Sequence, residues 1–383
     1  MRIPVTPPTL SDALASFQGK AGLDRLSKAM RMGIGPAPNG RYRHWDTLRH
    51  VRPPEGITSE DWWSAIKLAR SQNKRFIPLL DKKGQPFSYT LPDPVLELLH
   101  EIDSNTTGPV TSTTSMITNP QTRDRYVQSS LIEEAITSSQ LEGAATTREV
   151  AKEMIRSGRD PVDKSELMIL NNYQAIKLVR GLTDQVLSPD LILDLHRTIT
   201  VGTIEENALG HYLRKTGDGI AIFDDKDNKL LHDPPPASEI ARRLDAMCNF
   251  ANEKAPGVFL HPVIKAIILH FWLAYDHPFV DGNGRTARAL FYWSMLKQGF
   301  WLFEFLSISR IIRGAPGKYG RSFLYTETDE NDLTYFILAQ LEVVKRSIDE
   351  LHVYLDKKTT ETRETEQRLR ATVSLNHRQI ALI

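Results

Sequence analysis

Val263, Ile267, Phe271 and Ala274 recur on one face at helical spacing, which predicts a buried helix. Pro278 should end it near Asp276, because the residue before a proline is pushed out of the helical region. His277 then stands at a helix-to-loop exit, where its ring can reach a cleft. The same period predicts helices over 126–142, 167–179 and 189–198. Others start at Ile240, Pro262, Arg285 and Leu333, the last running to about Leu355. Between 210 and 236 the period changes: GIAIF and KLL flank DDKDN, a hairpin pattern closed by Pro234-Pro235-Pro236. A shorter hairpin with a Lys83-Gly84 turn is predicted around 78–89, and a short helix over 62–69.

The weaker segments set the organisation. Residues 1–55 are rich in Pro, Gly and Arg, with one amphipathic patch near 23–32, and 104–122 read as a Ser/Thr/Gly/Pro connector. Residues 356–370 are charged and read as a solvated helical linker; the final LNHRQIALI begins another apolar-periodic helix. The expectation is an N-terminal region over 1–120, a mostly helical domain over 121–355, and a linker with the start of a further module over 356–383.

Composition changes this picture little. The 383 residues suit roughly two or three domains, and 40% hydrophobic with 25% charged residues is a globular balance. A net charge of +1 selects neither nucleic acid nor membrane as a partner. The single cysteine, Cys248, rules out an internal disulfide and a cysteine-based metal site, and suits a reducing, cytoplasmic setting. It falls on an amphipathic stretch and reads as a small buried hydrophobe. MRIPVTPPTL lacks the apolar core of a signal peptide, and the most apolar run, 263–275, is too short to span a bilayer. No membrane partner is expected.

The chemistry concentrates in HPFVDGNGRTAR, residues 277–288. Gly282 and Gly284 flank Asn283 and allow left-handed backbone and close approach to a ligand. With the start of the following helix, their amides form an anion nest suited to phosphate. Arg285 and Arg288, three apart, should share a helix face and fork onto phosphate oxygens. Asp281 beside the nest suits Mg²⁺, which takes one or two carboxylates plus substrate phosphates. Phe279 reads as the loop's apolar anchor. Taken singly, each has a bland reading: a turn, an N-cap, a structural histidine, a surface charge. Within 12 consecutive residues at one helix entrance they read jointly as a site.

This segment resembles the Fic signature, H-x-F-x-[DE]-G-N-G-R-x-x-R, at every fixed position. The resemblance implies a mostly helical Fic core and transfer of AMP from ATP to a Tyr, Ser or Thr hydroxyl of a protein target, self-modification included. It makes His277 the general base, near its intrinsic pKa. Asp281 would hold Mg²⁺. Gly282, Asn283, Gly284, Arg285 and Arg288 would hold the phosphates, with Phe279 in the same nucleotide-binding set.

Upstream, Ser138 and Glu142 are four apart in SSQLEG and so share a helix face, and Gly143 reads as the helix stop. A glutamate at a helix C-terminus meets an unfavourable dipole and would be better placed beside a cation; the plain alternative is a solvated helix end. The segment resembles the Fic inhibitory motif [ST]-x-x-x-E-[GN], which implies that Glu142 pairs with Arg288 and autoinhibits the site.

The resemblance further implies that the hairpin 219–232 is a flap that aligns the target by strand pairing, with Gly219, Ile220, Ala221, Ile222 and Leu231 in it. Leu209-Gly210-His211-Tyr212-Leu213-Arg214 departs from the usual P-G-x-[FY]-R before it. Tyr319 matches the first of a tyrosine pair near the adenine, and Gly320 departs at the second. Residues 375–383 resemble the start of a winged helix. That keeps open a DNA-associated regulator with a largely silent core. AMP removal, or another nucleotide or phosphocholine donor, also stays open.

Overall fold

A computed structural model describes residues 1–106, 119–204, 213–224, 227–252 and 259–372. The chain folds as a mostly helical protein with two small two-stranded sheets. Near the N-terminus come α1 (Leu10–Ala15), α2 (Gly19–Arg31), α3 (Trp45–Leu48) and α4 (Ser59–Ser71). The hairpin β1 (Arg75–Leu80) and β2 (Pro86–Tyr89) and then α5 (Asp93–Thr106) follow. The central helices are α6 (Pro120–Leu141), α7 (Arg148–Ser157), α8 (Lys164–Gly181) and α9 (Pro189–Thr200). After β3 (Ile222–Phe223) and β4 (Leu230–His232) come α10 (Ile240–Asn252), α11 (Pro262–Asp276) and α12 (Asn283–Lys297). The chain closes with α13 (Ile308–Gly314), α14 (Pro316–Thr328) and α15 (Thr334–Thr372).

The antiparallel centre is α11 against α12, the most extensive helix pair. Pro262 at the first helical position pre-sets α11, and His261 caps it. Nearly every side chain of α11 and most of α12 is buried; α11 is apolar almost all round, whereas the first turns of α12 bury Asn283, Arg285 and Arg288. Around them pack α8, α9 and α6, with α15 across α5 and α14. The main apolar cluster runs from Ile77, Phe87 and Leu99 through α11 and α12 to Leu355. The hairpin β1–β2 and α5 therefore share the core of the site helices. Asp81 builds the β1–β2 turn by accepting from Lys83 and Gln85 N–H, both at 2.8 Å, with Gly84 at φ 77°.

Local signals explain where elements outrun the expected bounds. The Asp163 side chain accepts from Glu166 N and starts α8 at Lys164. Thr147 and the left-handed Gly158 cap α7, which the sequence reading left unassigned. The charged stretch after Leu355 continues α15 to Thr372. Residues 373–383, with the winged-helix expectation, and 209–212 lie outside the described residues. Cys248 is buried in α10, and burial pushes its thiol up to about 12.

Helices α1–α4 pack on a smaller cluster of Trp45, Leu48, Trp62, Trp63 and Ile66. A buried ionic knot ties it to the rest. Lys67 Nζ lies 2.7 Å from Asp329 Oδ1, and Arg70 Nη1 donates to the Tyr335 hydroxyl at 2.7 Å. Asp329 is 1% exposed and faces both cations, so among the described residues truncating it leaves Lys67 with Glu330 as its one carboxylate and Arg70 with neutral oxygens. Asp329→Ala is expected to lower stability by about 3–5 kcal/mol in denaturant unfolding; a loss below about 1 kcal/mol would show that the knot contributes nothing net.

Candidate active site

α11 ends at His277, which adopts left-handed φ 46°, ψ 56° and closes the helix with its N–H on Leu273 O at 3.0 Å. That turn swings the ring into a cavity of about 220 Å³. Nδ1 faces Ala274 O at 3.3 Å. A carbonyl only accepts, so Nδ1 carries the proton and Nε2 keeps its lone pair. Burial holds the ring well below its ordinary value, at about 4. This corrects the expectation of an intrinsic pKa: the resting histidine is neutral and only weakly basic.

The loop after His277 is built to hold its shape. The Asn283 side chain accepts from Phe279 N at 3.0 Å and donates to Phe279 O at 2.8 Å. Its amide is thus a loop clamp, and only the backbone of Asn283 faces a ligand from the helix start. Phe279 is fully buried and stacks on His196 with ring centres 3.7 Å apart. It anchors the loop beneath the cavity, which corrects its place in the nucleotide-binding set. His196 also bonds Asp281 O at 2.9 Å. Gly282 needs its left-handed φ of 83°, and a Cβ there would press on Thr200 Cγ2 at 2.8 Å.

The two arginines do not share a target. Arg288, 2% exposed, turns to α6. Its Nε donates to Ser138 Oγ at 2.8 Å, and Nη2 donates to Ser138 O at 3.0 Å and Glu142 Oε1 at 2.8 Å. Arg285 turns to α9, fully buried, with Nη1 on Ile199 O at 3.0 Å. Its Nη2 lies 3.6 Å from Asp281 Oδ2, and Nε and Nη2 have no hydrogen-bond partner among the described residues. The expected common fork is therefore absent in this arrangement, although the spacing keeps both residues on one face of α12. In the first turn of α12 the two side chains splay to opposite neighbours, which offer a serine–glutamate pair and a row of helix C-terminal carbonyls.

Glu142 lies just beyond α6, and Gly143 at φ 93° stops the helix. The Glu142 side chain is 28% exposed and bends over the α12 entrance. A Cβ at Gly284 would collide with its Oε1 and crowd Arg288 Nη1 at 3.0 Å, so glycine there admits the carboxylate. Helix α6 is not a loose arm. Glu134 is fastened to Ser307 Oγ at 2.9 Å and Ser309 N at 3.0 Å, and Ser139 Oγ to Met168 O at 3.2 Å.

Other walls come from the β3–β4 hairpin and α14. In the hairpin, Ile222 pairs with His232 and Phe223 with Leu230. Ile222 and Leu231 line the cavity, whereas Gly219, Ile220 and Ala221 lie before the paired strand and do not line it. Ile222, Phe223 and Leu230 leave apolar surface exposed. Tyr319 lines the cavity, and its hydroxyl meets His270 Nε2 at 3.0 Å. At Gly320 a Cβ would stand 2.5 Å from Met1 Cε, so Met1 occupies the space a second tyrosine would need.

Sequence reasoning passed over His196, His232 and His270, each buried behind the motif rather than in it. Asp281 keeps its side chain 43% exposed at the loop. Among the described residues no group of three or more His, Cys, Asp or Glu could hold a metal by itself. The Asp281 carboxylate accepts from Gly282 N at 2.5 Å, which withdraws that amide from the expected nest, yet its exposed side fits Mg²⁺, an ion that takes one or two carboxylates with phosphate and water.

Residues 186–295 match the family model described as Fic/DOC family. A protein adenylyltransferase Fic of Nematostella vectensis is 28% identical over 181 residues, 46% of this chain and 39% of that one. One of Drosophila virilis is 30% identical over 161 residues, 41% of this chain and 30% of that one. The chain thus aligns with well under half the length of these relatives. Among solved structures, a Fic family protein from Desulfovibrio desulfuricans G20 superposes with TM-score 0.58 at 22% identity, over 76% of this chain and 84% of that one. Fic-1 from C. elegans gives 0.55 at 16%, over 92% and 90%. These structural likenesses establish the fold. Among the described residues no helix is long and apolar enough to cross a membrane.

Buried neutral histidines give the fold an acid limit. Burial holds His196 at about 4 and His270 at about 3, below the ordinary 6.5. Above pH 6.5 folded and unfolded chains are both neutral there. Below it the unfolded chain takes up protons that the folded one refuses, so stability falls as pH drops from 6.5 toward 4. Each ring is worth up to about 1.4 kcal/mol per pH unit. Denaturant midpoints measured between pH 7.5 and 4.5 should fall across that window, and less so in His270→Phe; an unchanged midpoint would contradict the burial account.

Proposed function

This chain carries a Fic domain, and from that premise we propose that it transfers AMP from ATP to a hydroxyl of a protein target and is held off by Glu142. The observation that carries the reading is the single cavity shared by His277, the first turn of α12 and the buried Arg288. A lone-pair nitrogen, a helix N-terminus and a guanidinium are the groups an attack on an α-phosphate needs.

In this reading the target hydroxyl gives its proton to His277 Nε2 as its oxygen bonds to the α-phosphorus. The bond to the bridging oxygen breaks and pyrophosphate leaves. Amides at the start of α12, Gly284 foremost, hold the α- and β-phosphates. Arg288 takes the terminal phosphate. Arg285, with two unused donors beside Asp281, stiffens the loop and reaches the phosphates if its side chain swings. Asp281 would hold Mg²⁺, which when bound would supply positive charge beside the leaving pyrophosphate. Bound anions would also lift His277 from its depressed value toward the working pH. Tyr319 walls the base end of the nucleotide. The exposed apolar edge of β3–β4 suits strand pairing with a target segment.

Inhibition follows from competition for one cation. Glu142 and Ser138 use Nε and Nη2 of Arg288, the donors a terminal phosphate would take. A phosphate at that place also meets the Glu142 carboxylate, a repulsion that is strong where water is scarce. Removing Glu142 frees the cation and leaves its charge under-compensated, so Mg-ATP should bind better and stabilise more.

With α-labelled ATP and Mg²⁺, Glu142→Gly is expected to incorporate about 10- to 100-fold more label into the protein than the unaltered chain. Adding His277→Ala should remove it by about 10²–10⁴-fold. Equal labelling with and without Glu142 would sink the inhibitory reading, and label persisting in the double variant would sink the base. Preference for UTP over ATP would change the donor.

A further inference from the structure

His232 on β4 is 7% exposed and takes no part in the proposed phosphate chemistry, yet both its ring nitrogens are engaged. Nδ1 lies 2.8 Å from Glu327 Oε2 of α14, and Nε2 lies 2.8 Å from the Tyr275 carbonyl near the end of α11. A carbonyl oxygen can only accept. The Glu327 side chain is 23% exposed, and a carboxylate likewise only accepts. A neutral imidazole has one N–H and would set a lone pair against one of these oxygens inside the fold. We propose that His232 is a doubly protonated clasp that fastens the flap strand to the end of the helix bearing His277, and is a positioning residue for the flap.

The place suits a cation. Tyr275 O is one of the last carbonyls of α11, where the helix dipole is negative. Arg214 holds the next ones, its Nε on His277 O at 2.8 Å and Nη2 on Asp276 O at 3.2 Å, and also meets Pro235 O. Both stems of the hairpin are therefore tied to one helix end by positive side chains. Among the described residues the β3 and β4 strands pair at Ile222–His232 and Phe223–Leu230, a ladder that would be marginal alone.

The groups facing His232 are Glu327 from α14, Tyr275, Asp276 and His277 from α11, Arg214 before the hairpin, and Asp233 beside it on the chain. Asp276 is neutralised by Arg243, whose Nε meets Oδ1 at 2.8 Å. Burial pulls the imidazolium down, but Glu327 and the Tyr275 carbonyl outweigh it and leave the group above its ordinary 6.5. The sign follows: the clasp is present below the ordinary 6.5 and is lost as pH rises through the raised value. His277 acts unprotonated as the base, so its titration gives a limb that rises with pH and cannot produce the same fall.

The flap role rests on the transferase reading, whereas the protonation state does not, so two measurements separate them. Nitrogen NMR on ¹⁵N-histidine-labelled protein reads the ring directly. At pH 7 both nitrogens of His232 should be protonated, assigned by their loss in His232→Gln, and Glu327→Gln should lower the midpoint. A neutral tautomer at pH 7 overturns the clasp, whatever the activity. In the Glu142→Gly background, self-labelling from α-labelled ATP should fall about tenfold per pH unit above the His232 midpoint. Glu327→Gln should bring that fall to lower pH, and His232→Gln should flatten it. A limb that stays in place in both variants overturns the positioning role. No labelling at any pH would refute the transferase reading and leave the NMR result standing.

Discussion

Arg288 carries its charge at a point that is 2% exposed, and the arrangement of the site follows from satisfying that charge. An unpaired guanidinium there would cost several kcal/mol, so an anion or a set of oxygens must reach it. Ser138 supplies two oxygens and Glu142 the charge. For them to arrive, α6 must lie across the start of α12, the helix must stop at Gly143, and position 284 must lack a side chain. The pegs along α6, Glu134 to Ser307 and Ser309 and Ser139 to Met168, hold that crossing independently of the ion pair. The pair can therefore open while the helix stays put. The proposed autoinhibition needs that property.

A second constraint acts at the other end of the cavity. The carbonyls at the C-terminus of α11 are met by Arg214 and His232, and the loop beyond is clamped by Asn283 and supported by the His196–Phe279 stack. The histidine that is proposed to act as base sits between a cationic collar and a rigid loop. Its orientation is set by one weak bond to Ala274 O, and its low basicity by burial with two cations near. Anionic substrate reverses the local charge balance. In this account the site becomes basic enough to react only when filled.

The legible parts were those governed by local rules. The exit of α11 at His277 followed from Pro278, the left-handed turn before α12 from Gly282, and the helix stop from Gly143. The β3–β4 hairpin was readable from GIAIF and KLL around a polar turn. What was not legible depended on neighbours far along the chain. Spacing places Arg285 and Arg288 on one face, but which way each long side chain leans is decided by Ile199 O on one side and Ser138 on the other. An intrinsic pKa was assumed for His277 because burial is a property of packing. Phe279 was grouped with ligand contacts by adjacency alone, although its ring packs beneath the loop. Helix α7 did carry readable caps at Thr147 and Gly158; α5, α13 and α14 are short or masked by apolar continuity with the core. His232 had no spacing signal, since its partners come from 43 and 95 residues away.

The most direct test of the central claim is a double-mutant cycle on the ion pair, read as AMP transfer from α-labelled ATP. The gain from Glu142→Gly should be large with Arg288 present and close to nil in Arg288→Ala, because the glutamate acts only by holding that arginine. An equal gain in both backgrounds would contradict the account and require Glu142 to act elsewhere.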